Sequence, residues 1–228
     1  MFGKVKESEQ HLNINWKHFY LSVLALVIPM ALQNLINVGV TAADVVMLGK
    51  VGEHALSGAS LAGQVQYIMT LFLFGLTSGA TVLTAQYWGK KDICTIEKIL
   101  GLGMRSAVIV TAVFFVAAQC IPHTLMKIFT SDPEVIEQGV VYLRIVSWSY
   151  IFMGITQTYL YIMRSVERVV VATVVYLCSL ICNVGINAVL IFGLFGMPAL
   201  GVKGAAIGTL TARLLEMALV CLYSHFWN

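Results

Sequence analysis

The chain has 228 residues, of which 59% are hydrophobic and 11% charged, with a mean hydropathy of +0.85. That balance is far from the mix of a water-soluble domain and describes an integral membrane protein. Fourteen basic residues against eleven acidic leave a formal charge of +3, too small a difference to form the polybasic surface that a nucleic-acid partner requires.

In chain order, residues 1–18 are polar and mixed in charge, with Lys4, Lys6, Glu7, Glu9 and Lys17. They read as a short cytoplasmic tail and not as a signal peptide, because the apolar run that follows is about twice as long as an h-region. That run, residues 19–48, has Asp44 as its only formally charged member. As a helix it would reach ~45 Å against a hydrocarbon core of ~30 Å, so it must tilt, bend or project. Pro29 supplies a bending point, since it removes a backbone donor and crowds the preceding turn.

Residues 55–87 contain no Asp, Glu, Lys, Arg or His and form the second span, closed by Trp88, Gly89, Lys90, Lys91 and Asp92. The third span, 99–121, stops at Pro122. A turn at 130–134 leads into a helix through Val135, whose span is 140–163. Arg164 to Arg168 form a tight basic loop, the fifth span covers 169–195, and Gly196, Met197 and Pro198 turn the chain into the sixth, 202–226, with Trp227 as an interfacial anchor. The expected fold is all-α, a bundle of six transmembrane helices in one domain over 19–228. Lys4, Lys6, Lys17, Lys90, Lys91, Lys98, Arg164 and Arg168 fall on the side of the N-terminus, against Lys50, Lys127 and Lys203 opposite, which places the N-terminus inside.

The five cysteines lack metal-site or disulfide spacing and read as small packing residues, and the five histidines fall at or beyond the ends of the apolar runs. Gly75 and Gly79 form a GxxxG that suggests close helix packing. Polar groups inside a bilayer are functional candidates because burying them is costly. At 100° per residue, Gln33 and Asn37 fall within about 20° of Asp44 and Thr41 about 60° away, one polar stripe on the first helix. Asn183 and Asn187, aligned with Tyr176 and Ser179, make a second stripe on the fifth. A carboxylate among amide oxygens and hydroxyls either takes up a proton or helps to hold a small hard cation. Arg213 and Glu216 stand at i,i+3 and can neutralise each other.

Several motifs follow in order: Pro29 before Asp44-Val-Val-Met-Leu-Gly49; Gly75-Leu-Thr-Ser-Gly-Ala-Thr-Val-Leu-Thr-Ala-Gln-Tyr-Trp-Gly-Lys90; Asp132-Pro-Glu-Val135 before Tyr142-Leu-Arg144; Asn183-x3-Asn187-x3-Ile191-Phe-Gly193; and Pro198-Ala-Leu-Gly-Val-x-Gly-Ala-Ala206. This ordered set, spread over nearly the whole chain, resembles the multidrug and toxic compound extrusion (MATE) transporters. The resemblance implies an efflux antiporter of the cell (inner) membrane that exchanges organic, often cationic, compounds for H⁺ or Na⁺, with no other cofactor and no enzymatic activity. It implies Asp44 as the coupling residue, Asn183, Asn187 and Thr209 as its partners in a proton or sodium site, and Pro29 as a hinge. Gln33, Asn37, Thr41 and Tyr176 are then expected to line the substrate cavity. Some members carry an aspartate at the position of Asn187, so this chain offers fewer carboxylates.

The family is built of two six-helix lobes around a central cavity, and the chain corresponds to the first. A second lobe is therefore the expected partner, either as a C-terminal half or as a second copy. The alternatives are a flippase for lipid-linked sugars, which calls for a strongly cationic cavity, a non-transporting membrane fragment, and an intramembrane protease, for which Ser78 has no histidine in reach.

Overall fold

The computed structural model describes residues 16–227, apart from the side chains of His18, Ser22 and Trp227. Residues 1–15 of the expected tail and the Trp227 side chain lie outside the described residues. The helices are α1 (Trp16–Gly49), α2 (Glu53–Gly89), α3 (Ile93–Cys120), α4 (Pro122–Lys127), α5 (Pro133–Val146), α6 (Ser149–Ser165), α7 (Val169–Phe192) and α8 (Val202–Trp227), with a 3₁₀ turn at Leu194–Gly196. There is no strand among the described residues. Five helices are long and apolar enough to cross a membrane, and α5 with α6, meeting at 57°, makes the sixth span of a multi-pass bundle. α1 and α2 have 34 and 37 residues and so extend ~50–55 Å, which requires tilt in any bilayer. α1 runs helical through Pro29 without a break.

Local chemistry sets the helix ends. Asp92 caps α3 by accepting from the Thr95 amide at 3.1 Å and the Thr95 hydroxyl at 2.7 Å. Asp132 caps α5 by accepting from the amides of Glu134 and Val135, with Pro133 at the first helical position. Gly193, at φ 71°, closes α7 in the left-handed conformation that other residues rarely take.

The fourth span departs from the straight helix expected over 140–163. It breaks at Ser147 and Trp148, and the carbonyls freed there find partners: Gln119 on α3 donates to the Arg144 carbonyl at 2.8 Å and to Ser147 Oγ at 2.9 Å, while Ser149 donates to the Val146 carbonyl at 2.6 Å. Without such partners a break in apolar surroundings would strand backbone groups.

α7 packs along α8 and α1, α2 along α3 and α5, and α3 along α6; α5 and α6 reach across to α8. One core of Met69, Leu73, Leu143, Tyr150 and Met153 joins α2, α5 and α6, and a second of Tyr159, Leu160, Ile162 and Val175 joins α6 to α7. Close packing uses glycines other than those expected. A Cβ at Gly58 on α2 would stand 2.8 Å from the Gly139 amide nitrogen on α5, whereas Gly75 and Gly79 are exposed with open space beside them. The cysteine expectation is likewise corrected. Cys94, Cys120 and Cys221 are exposed and Cys178 and Cys182 half-buried, so none is a core residue.

Candidate functional site

α1 makes little contact with α2, and between them a cleft of about 500 Å³ opens, floored by α5 to α8. Helical spacing puts one polar face of each helix on it: Asn37, Thr41 and Asp44 from α1; Gln157, Tyr161 and Arg164 from α6; Tyr176, Ser179 and Asn183 from α7; Thr209, Arg213 and Glu216 from α8. The two stripes read from the sequence therefore do face each other.

Their meeting point is a hydrogen bond. The Asn187 amide nitrogen, fully buried on α7, donates to Asp44 Oδ1 at 2.6 Å and to Asn183 Oδ1 at 3.2 Å. The Asn187 carbonyl oxygen turns the other way, against Gly208 of α8, and has no hydrogen-bond partner among the described residues. Thr209 Oγ1 is buried next to the Tyr142 phenol, and that phenol lies within electrostatic range of Asp44. Asp44, Asn183, Asn187 and Thr209 are thus brought together as expected, with Tyr142 added from α5.

Arg213 and Glu216 form the expected pair, Nη1 reaching Glu216 Oε1 at 2.7 Å and Oε2 at 2.8 Å. The pair is not confined to α8, because Ser179 of α7 also donates to Glu216 Oε1 at 2.6 Å. Glu216 is 1% exposed, and this double partnering is what makes a buried carboxylate tolerable.

Gln33 does not line the cleft. It is fully buried between α1 and α7, where its amide donates to the Val169 carbonyl at 3.0 Å and to Thr173 Oγ1 at 2.8 Å. Asn37, Thr41 and Tyr176 are on the cleft wall as expected. Pro29 lies below it on α1, with Thr173 Oγ1 reaching its carbonyl at 3.5 Å. The sequence reading missed Gln157, Tyr161 and Arg164. Their i, i+4, i+7 spacing was the available signal, but Arg164 reads as part of the basic loop.

The MatE family model matches residues 29–189. The chain is 29% identical over 213 residues to the probable multidrug resistance protein NorM of Rhizobium meliloti, covering 92% of this chain and 44% of that protein. It is 25% identical to the multidrug resistance protein MdtK of Yersinia enterocolitica, covering 82% of this chain and 41% of that one. It superposes with a TM-score of 0.81 at 17% identity on an outward-facing multidrug resistance MATE family transporter of the MOP superfamily, over 90% of this chain and 45% of the other. The chain thus spans less than half the length of these relatives. With the family match extending from Pro29 on α1 to Val189 on α7, across every helix that contributes to the cleft except α8, the chain belongs to the MatE family.

Proposed function

We propose that the chain is the first lobe of an efflux antiporter that exports organic, often cationic, compounds in exchange for H⁺, with Asp44 as the coupling carboxylate. The observation that carries this reading is the bond from the Asn187 amide to Asp44 Oδ1 in the wall of the cleft. An ionised Asp44 accepts that bond and attracts an organic cation in the cleft. A proton taken up from outside removes the charge and weakens the tie between α1 and α7. The cation loses its counter-charge, α1 changes its bend at Pro29, and the compound is released. The exported compound and the proton thus bind different states of the lobe, as exchange requires. Work of this kind in secondary transporters is done by one lobe against another, so the partner is a second six-helix lobe, either a C-terminal half or another copy.

Sodium fits the cluster less well. A hard cation needs several oxygen ligands, and here Asn187 presents nitrogen to Asp44 while its oxygen faces Gly208. The flippase alternative calls for a strongly cationic cavity, whereas the four charged side chains that line this one, Asp44, Arg164, Arg213 and Glu216, sum to no formal net charge.

The test is proton release from the purified chain on addition of a fluorescent organic cation in weak buffer, followed by efflux from proteoliposomes under separate pH and sodium gradients. Release that disappears in Asp44→Asn, together with efflux driven by the pH gradient, is expected. Unchanged release in Asp44→Asn, or efflux driven by sodium alone, overturns the assignment.

A further inference from the structure

Four formally charged side chains line the cleft: Asp44, Arg164, Arg213 and Glu216. Arg213 and Glu216 satisfy each other, and Asp44 is held by Asn187. Arg164 is unmatched. Among the described residues no carboxylate lies within 4.0 Å of it, its guanidinium makes no hydrogen bond, and its buried Nε has no acceptor.

Arg164 stands in the last turn of α6, at the basic end of the span, and its guanidinium lines the cleft with a buried Nε that lacks an acceptor, which leaves a place for an anion. The group is also held in position, since its central carbon stands 4.8 Å from the centre of the Tyr161 ring on the same face of α6. Across the cleft the Tyr176 phenol on α7 is within electrostatic range of both Arg164 and Arg213. Arg213 spends only Nη1 on Glu216, which leaves its other donors uncommitted. Donors from α6, α7 and α8 therefore line the same cleft.

We propose that Arg164, with Tyr176 and Arg213, forms an anion subsite that takes a carboxylate of the exported compound, whose cationic end faces Asp44. This rests on the efflux reading above. The planar guanidinium fork matches a carboxylate. A lipid phosphate offers the same oxyanion chemistry, so the two sources must be separated by experiment.

The test uses the purified chain in dodecyl maltoside micelles, which carry no phosphate, and the fluorescence anisotropy of two dyes, zwitterionic rhodamine B and its cationic ethyl ester, which differ only in the carboxylate. Arg164→Gln is expected to weaken rhodamine B binding roughly tenfold and to change ester binding less than about twofold, with Arg164→Lys in between. Ester binding also reports that the variants are folded. Failure of the wild type to bind rhodamine B, or equal effects on both dyes, overturns the subsite. In micelles containing phosphatidylglycerol, unchanged rhodamine B affinity is expected. A fall there that Arg164→Gln abolishes assigns Arg164 to the lipid and overturns the proposal. If Arg164→Gln fails to discriminate the dyes while cation-driven proton release from Asp44 persists, the subsite falls and the efflux reading stands. Selective loss of rhodamine B without proton release gives the reverse.

Discussion

Gly208 of α8 lies directly against the Asn187 carboxamide of α7, so that a methyl group at 208 would occupy the space of the Asn187 carbonyl oxygen. The absence of a side chain on one helix thus fixes the direction in which a polar group on the next can point.

Gly208→Ala is expected to push Asn187 off Asp44 and to destabilise the lobe by ~1–3 kcal/mol, the usual range for overpacking. Thermal unfolding in detergent measures the loss. The loss should shrink in an Asn187→Ala background, where there is room for the methyl group. Equal losses in both backgrounds would place the strain elsewhere.

For the Arg213–Glu216 pair, removing one partner should cost more than removing both. Glu216→Ala strands a guanidinium and the Ser179 hydroxyl, and a loss of ~3–5 kcal/mol is expected from breaking so buried a pair. Arg213→Met with Glu216→Leu should recover most of it. Denaturant titrations of the two variants test the order, which would be reversed if each residue acted independently.

The glycines divide into two groups by what faces them. Gly58→Ala drives a methyl into the α5 backbone and is expected to cost ~1–3 kcal/mol. Gly75→Ala and Gly79→Ala meet open space within helix and should stabilise by ~0.5–1 kcal/mol. Melting temperatures of the three variants separate them, and a large loss at Gly75 would mean that α2 is covered there by a further chain.

At the start of α3, the bonds from the Thr95 hydroxyl and amide, with smaller help from Lys98 and Lys90, hold the Asp92 carboxyl below the usual carboxylate range. A group whose folded pKa is lowered contributes its full stability above its unfolded pKa and loses it as pH falls through the folded value. Asp92→Asn should therefore lower the melting temperature at neutral pH, and the difference should close on acidification. A difference constant with pH would rule out the carboxylate as its source.

The bundle and the pairing of Asp44 with Asn183 and Asn187 were legible in the sequence because polar residues are scarce there, so the few present define a helix face without ambiguity. Gln33 shows the limit of that reasoning. It lies about 20° from Asp44 on an ideal wheel, yet which neighbour covers that edge is a matter of packing, and α7 covers it. The break at Ser147 was hidden for a similar reason. Neither proline nor glycine marks it, and the group that makes it tolerable, Gln119, comes from another helix. Gly75 and Gly79 fit a packing motif, but Gly58 and Gly139 occupy the actual crossing. Such contacts depend on the distance between helices, and a linear pattern does not carry that distance.

The one-sided attachment of α1 has a mechanical consequence. Both of its polar anchors, Gln33 below and Asp44 above, fasten to the same neighbour, α7, while its opposite flank barely touches α2. A helix hung along one edge behaves like a door on its post. Rotation about that edge changes the width of the opening between α1 and α2 and leaves the cores joining α2, α5 and α6 undisturbed. The opening is therefore governed at the upper end of α1, where Asn187 holds Asp44 and Leu48 packs against Ala55 and Ala59 of α2.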